Sequence, residues 1–350
     1  MGNDQGPGMK VDGGLGPVEN AAAASRAAEA MGYDGVWSAE VNQDPFLPLA
    51  LAADATSAIK LGTSIAVAFA RSPMTLAYTA HDLQRFSGGR LALGLGSQVK
   101  AHVTRRFSMP WSNPAARMRE FVLAMRATWR SWADGEPLKF EGEFYSHTLM
   151  PPTFVPVAHP YGPPKVLVAG VGDMMTRVAG EVGDGFFCHA FTTARWIREH
   201  TIPALREGRR RAGLAMDGFD IVGVPFIATG TDAEIAAGLD AIKRQIAFYG
   251  STPAYRPVLE LHGWGDLGAE LHVLSRQDKW AEMAALIGDD VIDVFSVVAP
   301  PKEIPALLAE RFGGLVTRLS FRPPASLAAG EAARLIAELR AVPALRDTAA

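Results

Sequence analysis

The segment KLGTSIAVAFARSPMTLAYTAHDLQRFSGGRLALGLGSQ, residues 60–98, decides the fold. Leu61 to Phe69 is an apolar run long enough for a strand. Ser72 and Pro73 then open a helix. The serine oxygen accepts from the free amides at a helix start, and proline suits the first turn, where its missing N–H is no loss. The helix runs to Phe86, and Gly88-Gly89 stops it. Arg90 to Leu95 follows as the next strand. Strand, helix and strand in so short a stretch form the repeating unit of a parallel sheet covered by helices.

The same alternation extends in both directions. Lys10 to Gly13 is a first strand, with a helix from Pro17 to Met31 stopped by Gly32; Gly35 to Ser38 is a second, with a helix from near Pro45. Leu61 to Phe69 and Arg90 to Leu95 are the third and fourth. Val166 to Ala169, Gly185 to His189, Ile221 to Ala228 and Leu315 to Phe321 are the fifth to eighth, and Ala325 to Leu339 is the closing helix. Behind Asn113-Pro114, the residues Met118, Phe121, Val122, Met125, Trp129 and Trp132 keep helical spacing and read as a core stripe. Thr231 and Glu234 form a capping box. Eight strand–helix units with right-handed crossovers predict an α/β fold, a (β/α)8 TIM barrel; a doubly wound open sheet is the competing arrangement.

Two stretches fall outside the alternation and are expected as insertions after strands 4 and 7. Residues 137–164 hold seven prolines and the hairpin-like FEGEFY; residues 250–300 hold Trp264 and Trp280. Such insertions serve as lids, substrate walls or subunit contacts. Residues 1–8 are expected as a flexible extension, and 9–345 as one barrel domain.

Of the 350 residues, 48% are hydrophobic and 20% charged, with a formal net charge of -3. That balance argues against a nucleic-acid surface, which needs a basic excess on one face. The four arginines between Arg206 and Arg211 suit a helix exterior. A single cysteine, Cys188, rules out a disulfide framework and makes a reducing, cytoplasmic setting the expectation. It sits in the apolar run Phe186-Phe187-Cys188, which reads as core and not as a nucleophile. No apolar run is long enough to span a membrane, and the start carries no secretion pattern. The eight histidines are scattered without ligand spacing, so no metal is expected; His189 and His102 stand alone. There is no G-x-S-x-G elbow and no Walker loop.

Glycine remains. Leu93-Gly-Leu-Gly-Ser97 closes the fourth strand, and Val168-Ala-Gly-Val-Gly172 closes the fifth ahead of a helix near Asp173. Glycines before a helix N-terminus let backbone amides approach an anion, and the helix dipole favours it; tight turns are the other use of such glycines. Val99 and Met175 occupy the third glycine's place, so G-x-G-x-x-G is not met.

At these strand ends the sequence resembles the bacterial luciferase-like superfamily, above all its oxidoreductases using the deazaflavin coenzyme F420. The motifs are GYDGVWSAE (32–40), KLGTSIAVAFARSP (60–73), FSGGRLALGLGSQVKAH (86–102), FEGEFY (140–145), PPKVLVAGVG (163–172) and AGEVGDGF (179–186). The resemblance implies a small-molecule oxidoreductase, usually a homodimer, with no nucleic-acid or membrane partner. It implies a non-proline cis peptide at Ser64-Ile65, in a bulge of the third strand against the cofactor ring. The residues matched to cofactor binding are Ser64, Ile65 and Ala66; Gly96, Ser97 and Gln98; and Ala169, Gly170, Val171 and Gly172. The family's sugar-phosphate dehydrogenases carry Asp-His after the second strand and an acid after the fourth, where this chain has Glu40-Val41 and Val99. Hydride abstraction from an alcohol needs a base for the hydroxyl proton, so a sugar-phosphate dehydrogenase is not expected. Glu40 and His102 are the catalytic candidates left, with Lys100 on the same rim. The expectation is an F420-dependent reductase. An FMN-dependent monooxygenase is the first alternative and a non-catalytic barrel subunit the second.

Overall fold

Eight strands carry the chain in the computed structural model, which describes residues 8–346. They are β1 (Lys10–Gly14), β2 (Gly35–Ser38), β3 (Lys60–Thr63), β4 (Leu91–Gly96), β5 (Lys165–Gly170), β6 (Gly185–Cys188), β7 (Asp220–Gly223) and β8 (Arg318–Ser320). The sheet runs in the order β3-β2-β1-β8-β7-β6-β5-β4. It closes where Leu61 and Gly62 of β3 pair in parallel with Leu91 and Ala92 of β4. The chain is a (β/α)8 barrel, as the alternation predicts, with the helices outside.

By contacts the chain forms two units. The first holds Gly13–Phe187 and Ala204–Asp220, with helices α1 (Ala21–Ala30), α2 (Leu47–Ala55), α3 (Pro73–Phe86), α4 (Pro114–Asp134) and α5 (Asp173–Val182). Ser72 starts α3 as expected: its Oγ accepts from the Thr75 N–H at 3.0 Å. The predicted stripe of α4 is buried throughout, and each such side chain contributes roughly 1.5–3 kcal/mol when fully buried. The Trp129 indole N–H also donates to the Ala77 carbonyl of α3 at 3.1 Å. FEGEFY forms a hairpin with Phe140 opposite His147. Its turn is held by Glu120 of α4, whose carboxylate accepts from the backbone of Glu143, Phe144 and Tyr145.

The run Leu61 to Phe69 is not one strand. β3 ends at Thr63; pairing resumes only at Ala66–Val67, opposite Leu95 and Gly96 of β4. Ala68–Ala70 then winds into a 3-10 turn.

The second unit holds Met1–Asp12, Cys188–Pro203 and Ile221–Ala350. Of the expected extension, residues 1–7 lie outside the described residues, while Gly8 bridges to Pro343. β1 and β8 are joined by a buried ion pair, in which Arg318 Nε and Nη2 donate to the two Asp12 oxygens at 2.8 and 2.5 Å. The seventh strand is shorter than read. It breaks after Gly223, because Pro225 has no N–H for a ladder, and Phe226–Ala228 pairs with Ser296–Val298 instead. The capping box forms at the start of α6 (Asp232–Gly250). Its Glu234 also takes the Ser326 hydroxyl and N–H. That keeps Ser326 out of the closing helix, so α7 begins at Ala329 (Ala329–Arg340).

Residues 250–300 are more ordered than their sequence suggests. They contain the helices Arg256–Glu260, Gly265–Ser275, Trp280–Ala285 and Asp289–Phe295. Leu259, Leu271, Met283, Ile287 and Ile292 pack with Ile242 and Ile246 of α6 into a separate apolar core.

Candidate functional site

The catalytic and cofactor-binding candidates lie in the first unit, at the C-terminal ends of β2, β3, β4 and β5, the end where barrels of this type carry their chemistry. Between β3 and the resumed strand, the Ser64-Ile65 peptide is cis. The Ser64 N–H donates to the Ser38 carbonyl at the end of β2 (2.8 Å), and the Glu40 N–H donates to the Ile65 carbonyl (3.3 Å). The Glu40 carboxylate turns inward, its side chain 7% exposed. Its Oε2 accepts from the Val67 N–H and from Arg71 Nη1, both at 2.7 Å. Arg71 Nη1 also donates to the Val67 carbonyl at 3.1 Å. Its Nη2 lies 3.6 Å from Asp44, and its guanidinium stands over the Phe46 ring. Sequence reasoning named Glu40 but not Arg71; no spacing rule joins residues so placed.

At the end of β4, Gly96 faces Ile65: a Cβ there would lie 2.7 Å from Ile65 Cδ1, so the isoleucine side chain would have to shift. The following turn satisfies itself. Ser97 Oγ donates to the Gln98 carbonyl (3.1 Å). Gln98, at φ 59°, accepts the Val99 N–H on its own Oε1 (3.0 Å). His102 is exposed and opens a π-helical turn, His102–Arg106. Arg106 Nη2 reaches back to the Val41 carbonyl at 2.6 Å, tying the loop after β2 to the loop after β4. Val41 and Val99 are 67% and 46% exposed, and neither side chain can take a proton.

At the end of β5 the two glycines differ. A Cβ on Gly170 would meet the Met175 side chain at 2.7 Å, whereas one on Gly172 would meet nothing within 4 Å. Gly172 is the N-cap of α5 and offers no side chain to its free amides. Only Gly172 therefore leaves an open cradle at a helix N-terminus. Asp173 in the first turn leans toward Arg177 (3.5 Å). Ala169 and Val171 flank this turn and are half-buried. One polar atom nearby was missed from sequence: the fully buried Ser38 Oγ, which has no hydrogen-bond partner among the described residues.

Two further groups belong to the second unit. Burial pushes the Cys188 thiol up to about 12, so it stays protonated and unreactive. Burial pushes the His189 imidazole down to about 4. Its Nδ1 accepts the Phe191 N–H at 3.0 Å, and its ring packs against Tyr249 and Tyr255. Among the described residues, no three His, Cys, Asp or Glu side chains come together as a metal site, and no helix is long and apolar enough to cross a membrane.

Known proteins resemble this chain in sequence and in fold. The uncharacterized protein Rv1360 of Mycobacterium tuberculosis is 50% identical over 313 residues, 89% of this chain and 92% of that one. The 5,10-methylenetetrahydromethanopterin reductase of Archaeoglobus fulgidus is 27% identical over 285 residues, 79% of this chain and 81% of the reductase. Among solved structures, the coenzyme F420 dependent tetrahydromethanopterin reductase from Methanopyrus kandleri superposes with a TM-score of 0.75 at 21% identity, covering 97% and 99% of the two chains. The oxygenating constituent of 3,6-diketocamphane monooxygenase from Pseudomonas putida, in complex with FMN, gives 0.64 at 18% identity, covering 96% of each. The luciferase-like monooxygenase family model matches residues 2–318, and the chain belongs to that family.

Proposed function

We propose that the protein is an F420-dependent oxidoreductase that passes a hydride between the deazaflavin and a small organic substrate, working as a reductase. The observation that carries this reading is the likeness to tetrahydromethanopterin reductases, met both in sequence and in fold. The residues present fit such a cofactor. Gly172 and the amides opening α5 suit its phosphate. Ser64, Ile65 and Ala66 would hold its ring together with Gly96, Ser97 and Gln98, and Ala169, Gly170 and Val171 would lead to its phosphate. Ser38, whose carbonyl takes the Ser64 N–H, carries a buried hydroxyl without a partner among the described residues.

When bound, the deazaflavin supplies the hydride chemistry. The chain binds and orients it and keeps water from its ring. His102, exposed on the rim, is the side chain placed to exchange a proton with solvent. Val41 and Val99 provide no base for an alcohol proton, which favours reduction of an acceptor. Assays with reduced F420 and electron-poor C=C and C=O acceptors test this reading. Turnover is expected there, and none with oxidised F420 and glucose 6-phosphate. Robust sugar-phosphate oxidation would contradict it, and oxygen-dependent turnover with reduced FMN would favour the monooxygenase alternative.

A further inference from the structure

Resting on that cofactor reading, we propose that Arg71 and Glu40 are a positioning pair. They set the cofactor's place through the backbone of Ile65–Val67 without touching the cofactor. This segment follows the break in the third strand: Ile65 lies outside the ladder, and Ala66–Val67 pair with Leu95 and Gly96 of β4 alone. Glu40 and Arg71 add bonds to this one-sided pairing. The Glu40 N–H takes the Ile65 carbonyl, its carboxylate takes the Val67 N–H, and Arg71 takes the Val67 carbonyl. Both polar groups of Val67 thus end on the pair, and the pair closes on itself at 2.7 Å.

The choice of residues fits this task. One Glu40 oxygen receives two donors in a largely buried place, so it is committed to holding the chain. Arg71 serves Glu40 and Val67 through Nη1, approaches Asp44 through Nη2 and stacks on Phe46. A lysine ammonium has no planar fork to do this. With side-chain exposures of 18% and 7%, the pair is also screened less than a surface bridge. Its position reaches a second wall of the site, because the Ile65 side chain fills the space beside Gly96. A shift of Ile65–Val67 therefore moves the Gly96 turn as well.

The test titrates F420 into wild type, Arg71→Leu, Arg71→Lys and Arg126→Leu, reading affinity, the spectrum of the bound cofactor and Tm. Arg126 is the control: it forms a comparable 2.9 Å bridge to Asp184 in the same unit, with no contact to Ile65–Val67. Arg71→Leu is expected to weaken F420 at least tenfold and to alter the bound spectrum, and Arg71→Lys to do so by a few-fold. Arg126→Leu is expected to lower Tm with affinity and spectrum unchanged. Wild-type affinity and spectrum in either folded Arg71 variant would overturn the positioning role alone. Failure of the wild type to bind F420 would overturn the functional reading and this inference with it.

Discussion

Gly96 and Ile65 interlock: the space where a Cβ of Gly96 would stand is filled by the Ile65 side chain, 2.7 Å away. A glycine that composition alone assigns to a tight turn is here the partner of the residue after the cis peptide. It joins the end of β4 to the interruption of the third strand.

Gly96→Ala should therefore push Ile65 out of place. Overpacking of this kind costs about 1–3 kcal/mol, and cofactor affinity should fall with stability. Adding Ile65→Ala makes room for the new methyl and should recover most of the stability. Urea unfolding of the two variants checks this; a Gly96→Ala protein as stable as wild type would show that the contact yields freely.

The Asp12–Arg318 pair joins β1 to β8 with side chains 0% and 5% exposed. Arg318→Met leaves the Asp12 carboxylate buried without its guanidinium, and breaking such a pair costs about 3–5 kcal/mol. Equilibrium denaturation should show that loss, and Asp12→Leu combined with Arg318→Met should regain most of it. A loss below about 1 kcal/mol, the range of surface bridges, would mean that water reaches the pair.

His189 should make the fold sensitive to acid. Its folded value of about 4 lies below the ordinary 6.5, so the unfolded chain binds the proton more readily. The stability contributed by keeping this ring neutral is complete above pH 6.5 and is lost as pH falls toward 4. Relative to His189→Phe, wild type should lose stability between about pH 7, above that window, and about pH 4.5, near its lower end. The same difference in stability at both pH values would contradict a lowered His189 value in the folded chain.

The barrel was legible because each strand is a short apolar run closed by glycine or a cap, and Ser72 and Thr231 cap as their sequence neighbours require. The boundaries that moved did so for reasons set by distant residues. Pro225 splits the seventh strand locally, but Ser326 is withheld from the last helix by Glu234, far earlier in the chain. Glu40 was legible as a candidate only by its place after β2. Its union with Arg71 and Val67 depends on the break in the third strand, which hydrophobic pattern does not encode. The Gly172 cradle was readable in outline as glycine before a helix, yet Gly170, two residues earlier, proves to be glycine for Met175. Residues 250–300 lacked a legible pattern because their helices are short and share one core.

The central claim is that this strand end holds F420 with its phosphate at Gly172, and parallel titrations of wild type and Gly172→Asp with F420 and FMN test it most directly. An added Cβ meets no protein atom within 4 Å, and aspartate is a favoured residue at a helix N-cap, so Tm should not fall. An acidic group in the cradle should repel a phosphate and weaken binding tenfold or more, about 1.4 kcal/mol. The account expects wild type to bind F420 more tightly than FMN, and the variant to lose that affinity while staying folded. Wild-type affinity in the folded Gly172→Asp protein, or binding of FMN alone, would contradict it.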